Sequence, residues 1–277
     1  KPQNLIAVID FSQNKTIRNA DEVQSAYWDA VSATIHAVIT YYICPEAGCN
    51  QRVKHDFVQV SNDLRHDVFL PREAMRAVLA YLETKGVQIR QVIQFTDNCA
   101  KQYKSQRAFV EIVKSEKPTT RIFFGERHGK NACDTKFSSV KRQIDTIMYK
   151  KNAAFNPEPF IVRSVADLFQ LCKTHLEVGC NEHTHEKTTF QYFSEASLRR
   201  RDDPQTHTVS GTKKFHSVKR GNQGANQLLS RMLSCVCDAC LDLDTTRPCK
   251  NAQLVDDWTS HHLRIFKCKP ETRTKRN

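Results

Sequence analysis

The chain has 277 residues, of which 39% are hydrophobic, and a formal net charge of +12. That length allows one large domain or two modest ones, and the apolar share allows a real core. No apolar run approaches the ~20 residues of a membrane span, so a membrane partner is not expected. Residues 98–163 hold 14 Lys/Arg against 6 Asp/Glu, so +8 of the excess charge lies there and a polyanionic partner is expected. No signal peptide is visible, and the chain opens on Lys1, which fits a fragment lacking a further N-terminal domain. The eleven cysteines are odd in number; without a secretory signal they suggest zinc ligands more than a disulfide scaffold.

In chain order, LIAVIDF (5–11) reads as a buried strand and DEVQSAYW (21–28) as a short helix. Residues 33–43 and 51–60 alternate and are rich in β-formers, which predicts a hairpin. Pro71 suits the first turn of a helix whose apolar face is Met75, Val78, Leu79 and Leu82, ended by Gly86. A strand follows at 91–97, a helix at 101–116 and a strand at 121–125. A further helix over about 134–150 carries the stripe Phe137, Val140, Ile144 and Ile147. Residues 156–159 read as a linker and 164–176 as a helix. The stretch from His185 to Ala196 is ambiguous, 199–205 reads as a polar turn, 206–218 as a strand or hairpin, and the end as a basic tail.

Three strands, helix, strand, helix, strand, helix implies an α/β sandwich of the ribonuclease H type. Three antiparallel strands would be extended by two parallel ones, with helices on the faces and a C-terminal helical and β extension holding a Cys cluster. The expected divisions are a core over 1–150, a helical linker over 151–205, and a β and Cys-rich module with a basic tail over 206–277. In this layout the first and fourth strands are neighbours, so Asp10 and Asp97 meet at one sheet edge. The last core helix brings Asp134 beside them.

Asp10 and Asp97 end apolar strands, and Asp134 heads an amphipathic helix. Buried carboxylates at strand ends are costly unless paired or on a metal, and hard ions such as Mg²⁺ and Mn²⁺ want oxygen ligands. The ordinary reading of each is a strand-end turn or a helix cap. Glu126 and Asp145 are rivals to Asp134 for the third position. Asn98, Lys101, Gln102 and Lys104 follow Asp97 and offer donors to a phosphate at a helix N-terminus; the plain alternative is a solvated first turn. His128 and Lys130 flank Gly129 ahead of Asp134, where a histidine would orient water or protonate a leaving oxygen. Lys141 and Arg142 on the following helix complete the expected phosphate contacts.

Cys235, Cys237, Cys240 and Cys249 can close a tetrahedral Zn²⁺ site, with His216 as a substitute ligand. Cys44, Cys49 and His55 across the hairpin turn form a weaker set, and Cys180, His183 and His185 a third. Cys99 and Cys133 read as buried small residues.

VIDFSQN, DEVQSAYW, VIQFTDNCAKQYKSQ and FFGERHGKNACDTKFSSVKR together resemble catalytic cores of the transposase and integrase superfamily in eukaryotic mobile elements. SRMLSCVCDACL resembles the Cys-rich C-terminal segment of the same chains. The resemblance covers most of 4–150 and again 206–258. It implies a ribonuclease H-like fold, with Asp10, Asp97 and Asp134 as ligands to two Mg²⁺ or Mn²⁺ ions. It also implies DNA as partner, a homo-oligomer as an open option, and a nuclear location. Two departures stand out: Asn98 replaces the usual Gly after Asp97, and Thr135 the Gly after Asp134. The leading expectation is a two-metal nuclease and strand transferase. The rival is a domesticated, non-catalytic DNA-binding or protein-interaction module. A proofreading-type exonuclease needs an acid two positions after the first Asp, where Ser12 stands.

Overall fold

The computed structural model describes residues 1–17, 30–125, 131–149, 161–180, 182–198, 200, 204–222, 224–241 and 248–267. The helix expected over 21–28, the linker at 156–159 and the basic tail lie outside them. So do His128, Lys130 and the rival acid Glu126.

The elements run β1 (Gln3–Phe11), β2 (Lys15–Thr16), β3 (Ser32–Ile43), β4 (Arg52–Ser61), α1 (Phe69–Thr84), β5 (Ile89–Thr96), α2 (Gln106–Lys114), β6 (Thr119–Phe123) and α3 (Ala132–Tyr149). They continue with α4 (Val165–Leu176), β7 (Glu186–Phe193), β8 (Pro204–Thr206), β9 (Ser217–Arg220), β10 (Gln227–Arg231), α5 (Asp238–Leu241), β11 (Thr259–His262) and β12 (Ile265–Lys267). The main sheet has the order β11-β10-β9-β6-β5-β1-β3-β4-β7, with β2 paired to β3. It is mixed. β1, β3 and β4 pair antiparallel, while β5 lies parallel to β1 and β6 parallel to β5. The first and fourth long strands are therefore neighbours, as the element order predicts.

The sheet extends at both ends. β7 adds in parallel beside β4, and β9 adds antiparallel beside β6. The ambiguous stretch resolves as β7 because Thr188, Thr189 and Phe190 are buried against the sheet. β8 and β12 pair as a separate ribbon.

Each face of the sheet carries its own core. On one, Leu5, Ala7 and Ile9 of β1 and Phe57 of β4 pack with the α1 and α2 side chains. On the other, Ile35, Ala37 and Ile39 of β3 pack under Phe137, Val140 and Ile144 of α3 and Leu168 and Leu171 of α4. β3 is thus buried on both faces, which suits its near-continuous apolar run.

Local chemistry sets the helix ends. Pro71 falls in the first turn of α1, and Gly86, at φ +80°, closes its end through the Gly86 and Val87 amides to the Glu83 and Leu82 carbonyls. α2 begins at Gln106, five residues later than its sequence pattern suggests. The Ser105 hydroxyl accepts from the Ala108 amide as cap, while the amides of Gln102, Tyr103 and Lys104 all turn back to the Cys99 carbonyl. α4 opens with a full capping box between Ser164 and Asp167.

Candidate functional site

The paired register of β1 and β5 ends at Ile9 opposite Thr96, so Asp10 and Asp97 leave neighbouring parallel strands side by side. α3 crosses the sheet with its first turn over the end of β1, where the Cys133 thiol contacts the Val8 carbonyl at 3.4 Å. Asn131 closes this corner. Its side-chain oxygen accepts from the Cys133 amide at 2.7 Å, which makes it the N-cap of α3. Its side-chain nitrogen donates to Asp10 Oδ2, and its backbone N–H donates to Asp134 Oδ2, both at 2.9 Å. Asp134 therefore sits in the first turn of α3, accepting from the amide of the cap residue, and is not the cap itself.

The electrostatics fit this convergence. Burial pushes the Asp10 carboxyl up to about 6, against the Asn131 and Phe11 donors, and the charges of Asp97 and Asp134 push it the same way. Burial also raises Asp97, partly offset by the Cys99 amide on Oδ1. Tyr103 is wholly buried, its hydroxyl lacks a partner among the described residues, and Asp10 and Asp97 add to the rise that burial imposes on it. Among the described residues no lysine or arginine pairs with any of the three aspartates.

Asp145 is held elsewhere, in an ion pair with Lys15 at 2.5 Å. The expected phosphate contacts divide. Asn98 donates to the Phe124 carbonyl at 2.7 Å, tying the ends of β5 and β6 together. Gln102 is buried. Lys104 is buried too; its ammonium donates to the Phe215 carbonyl and lies 4.4 Å from the Phe123 ring centre, so it faces inward. Lys101 is exposed and donates to the Arg65 carbonyl; Lys141 donates to the Gln13 carbonyl at 2.8 Å; Arg142 is exposed. Burial and the nearby Lys15 lower the Lys141 ammonium. Sequence reasoning passed over Asn131, Tyr103 and His66. His66 stacks on Phe11 at 4.7 Å and adopts φ +46°.

Two Cys/His groups bring four ligand atoms within 4.8 Å of one another, and the three aspartates do not form a third such set among the described residues. The first group is Cys235, Cys237, Cys240 and Cys249, the set expected from the sequence. Its Sγ–Sγ separations of 3.9, 3.3 and 3.7 Å surround Cys249, and it can hold a metal ion such as zinc. Arg231 donates to Cys240 Sγ at 3.1 Å, supplying positive charge to a thiolate cluster. His216 is not a member; its ring faces the Phe123 carbonyl.

The second group corrects the expected one. Cys44 and Cys49 gather with His183 and His185, not with His55. β4 turns His55 into the core, where its ring stacks on Phe57 and bonds Thr189 Oγ1 at 2.8 Å. Cys180 is excluded as well, its thiol turned to the Thr188 carbonyl.

No described helix is long and apolar enough to cross a membrane. A family model described as a domain of unknown function (DUF8701) matches residues 1–234. No curated protein and no solved structure matches the chain.

Proposed function

The chain belongs to the DUF8701 family, and we propose that it performs metal-dependent phosphoryl transfer on DNA from a ribonuclease H-like core, as a transposase-type nuclease and strand transferase. One observation carries this reading: two aspartates with no lysine or arginine partner among the described residues end adjacent parallel strands, and Asn131 ties the first of them to a third at the head of α3. The strand order β4-β3-β1-β5-β6, antiparallel then parallel, supports the fold assignment.

In this reading Asp10, Asp97 and Asp134 are the residues that would hold the divalent ions. Bound there, divalent ions would supply activation of a water or 3′-hydroxyl nucleophile and stabilisation of the leaving oxygen in an in-line displacement. Asn131 fixes Asp10 and the first turn of α3 before any ligand arrives, and Tyr103 lines the buried side of the acids with a hydroxyl that has no partner among the described residues. The exposed Lys101 and Arg142 remain to meet phosphate, whereas Lys104 serves the fold.

The test is Asp97→Asn. The variant is expected to fold and to bind DNA with an unchanged salt dependence, yet to lose Mg²⁺- or Mn²⁺-dependent cleavage. Cleavage retained by that variant removes Asp97 from the mechanism. Calorimetric titration of Mn²⁺ into the wild type separates the catalytic reading from a non-catalytic DNA-binding module. Binding that disappears with Asp10→Asn supports the former, and absent binding supports the latter.

A further inference from the structure

We propose that Cys44, Cys49, His183 and His185 form a second zinc site, of Cys₂His₂ composition, which fastens the start of β7 to the β3–β4 hairpin. The four donors come from two segments far apart in sequence. Cys44 directly follows β3, and Cys49 lies across a tight turn in which Gly48 takes φ +80° and the Cys49 amide returns to the Glu46 carbonyl. His183 and His185 immediately precede β7, and the His185 carbonyl already accepts from the Lys54 amide at the first rung of the β4–β7 ladder. The two imidazole rings lie 5.2 Å apart between centres, so the pair meets the two cysteines together.

The separations fit a bound ion. Cys44 Sγ lies 3.5 Å from His183 Nε2, and Cys49 Sγ 3.2 Å from His185 Nε2. A tetrahedral ion with Zn–S of about 2.3 Å and Zn–N of about 2.0 Å sets sulfur and nitrogen roughly 3.5 Å apart. Two thiolates with two imidazoles in that arrangement select zinc over the hard ions that suit carboxylates. Neither a disulfide nor a carboxylate-rich cation site accounts for the cluster: both cysteines are free thiols, and among the described residues no carboxylate joins them.

The site adds to a closure that the backbone begins, where Val178 and Thr188 exchange amide-to-carbonyl bonds at 3.1 and 2.9 Å. β7 is an edge strand reached through a turn so tight that a Cβ on Gly179, at φ +66°, would collide with Thr184 Oγ1. From β7, Thr188 meets the Lys136 ammonium at 2.6 Å, and Lys136 also pairs with Asp56 of β4 at 3.1 Å. The staple thus secures a strand against which α3 is held two residues beyond Asp134.

The experiment is zinc quantification and zinc K-edge absorption on the full chain purified without chelator. Two zinc ions per chain are expected, with an average shell of three sulfurs and one nitrogen from one all-cysteine and one Cys₂His₂ site. One zinc per chain with an all-sulfur shell overturns the proposal. Cys49→Ser and His185→Ala should each lower the content from two ions to one and leave an all-sulfur spectrum; variants that keep both ions also overturn it. Should either variant fail to fold, Co²⁺ substitution of the wild type decides. Two equivalents bound, one with the absorption of a mixed sulfur and nitrogen tetrahedron, support the site, and a single all-sulfur equivalent refutes it.

Discussion

Asn131 donates its side-chain amide to Asp10 at 2.9 Å across 121 positions of sequence, while its own side-chain carbonyl oxygen caps α3. One side chain therefore couples the position of a strand-end carboxylate to the start of a helix. Asn131→Ala removes both bonds. The loss of an N-cap costs about 1 kcal/mol, and the loss of the donor to Asp10 removes one of the two hydrogen bonds that hold its pKa down. The variant is expected to melt at lower temperature and to titrate Asp10 above the value of about 6 in the parent, read from the carboxyl carbon resonance. An unshifted titration would show that the amide does not act on Asp10.

Asp10 makes a pH prediction of definite sign. Its folded pKa of about 6 exceeds the ordinary 3.8, so the folded state holds its proton more tightly than the unfolded chain. Between those values stability falls as pH rises, and above about 6 the whole cost is present. Asp10→Asn is therefore expected to stabilise the metal-free protein at neutral pH and to change little near pH 4. The gain should be about 1–2 kcal/mol, less than the shift alone implies, because an amide oxygen cannot serve the Phe11 and Asn131 donors as two carboxylate oxygens do. Urea unfolding at both pH values checks this. Adding Mn²⁺ should reverse the order, stabilising the parent more than the variant.

Much of this corner was legible because its signals are local. Asp10 and Asp97 terminate apolar runs, and strand order follows from the alternation of strands and helices. The capping residue of α3 was not. Asp134 and Asn131 both favour helix starts, and only the three-dimensional demand of Asp10 for a donor decides between them. The inward turn of Lys104 was equally hidden: its position after Asp97 resembles a phosphate grip, but the Cys99-centred turn rotates it over Phe123. The Cys44 and Cys49 pair illustrates the same limit. A hairpin turn announces half a site, and nearby His55 looks like its continuation. Strand alternation instead sends that ring into the core, and His183 and His185 arrive from the segment that leads into β7, whose pairing with β4 has no local signature.

His36 and His55 set the acid limit of the fold. The His36 Nδ1–H donates to Gln59 Oε1 at 2.8 Å, Gln59 donates on to Gln191, and His36 Nε2 has no partner among the described residues to receive a proton. Burial lowers His36 to about 4, and burial together with Lys187, Lys85 and Lys136 lowers His55 to about 3. Both folded values lie below the ordinary 6.5, so stability is whole above that pH and is lost as pH falls beneath it. Each ring is expected to cost about 2 kcal/mol by pH 4.5. At pH 5 their imidazole nitrogen shifts should still be those of neutral rings, and an imidazolium signal from either would contradict the burial argument.

Trp258 reports on the all-cysteine cluster. Arg231 lies 4.4 Å from its ring centre while donating to Cys240 Sγ, and Lys219 lies 4.8 Å from the same ring while donating to the Cys240 carbonyl at 2.9 Å. Both cations therefore face a cluster that four thiolates leave net negative even around Zn²⁺. Arg231→Met removes the charge but keeps most of the stem, and is expected to weaken zinc retention by about 10–100-fold in a chelator competition. In a Trp28→Phe background, which leaves Trp258 as the single tryptophan of the chain, stripping the cluster or introducing Cys249→Ser should shift the Trp258 emission to longer wavelength. An emission that stays constant while zinc leaves would mean that Arg231 and Lys219 hold the indole without reference to the metal.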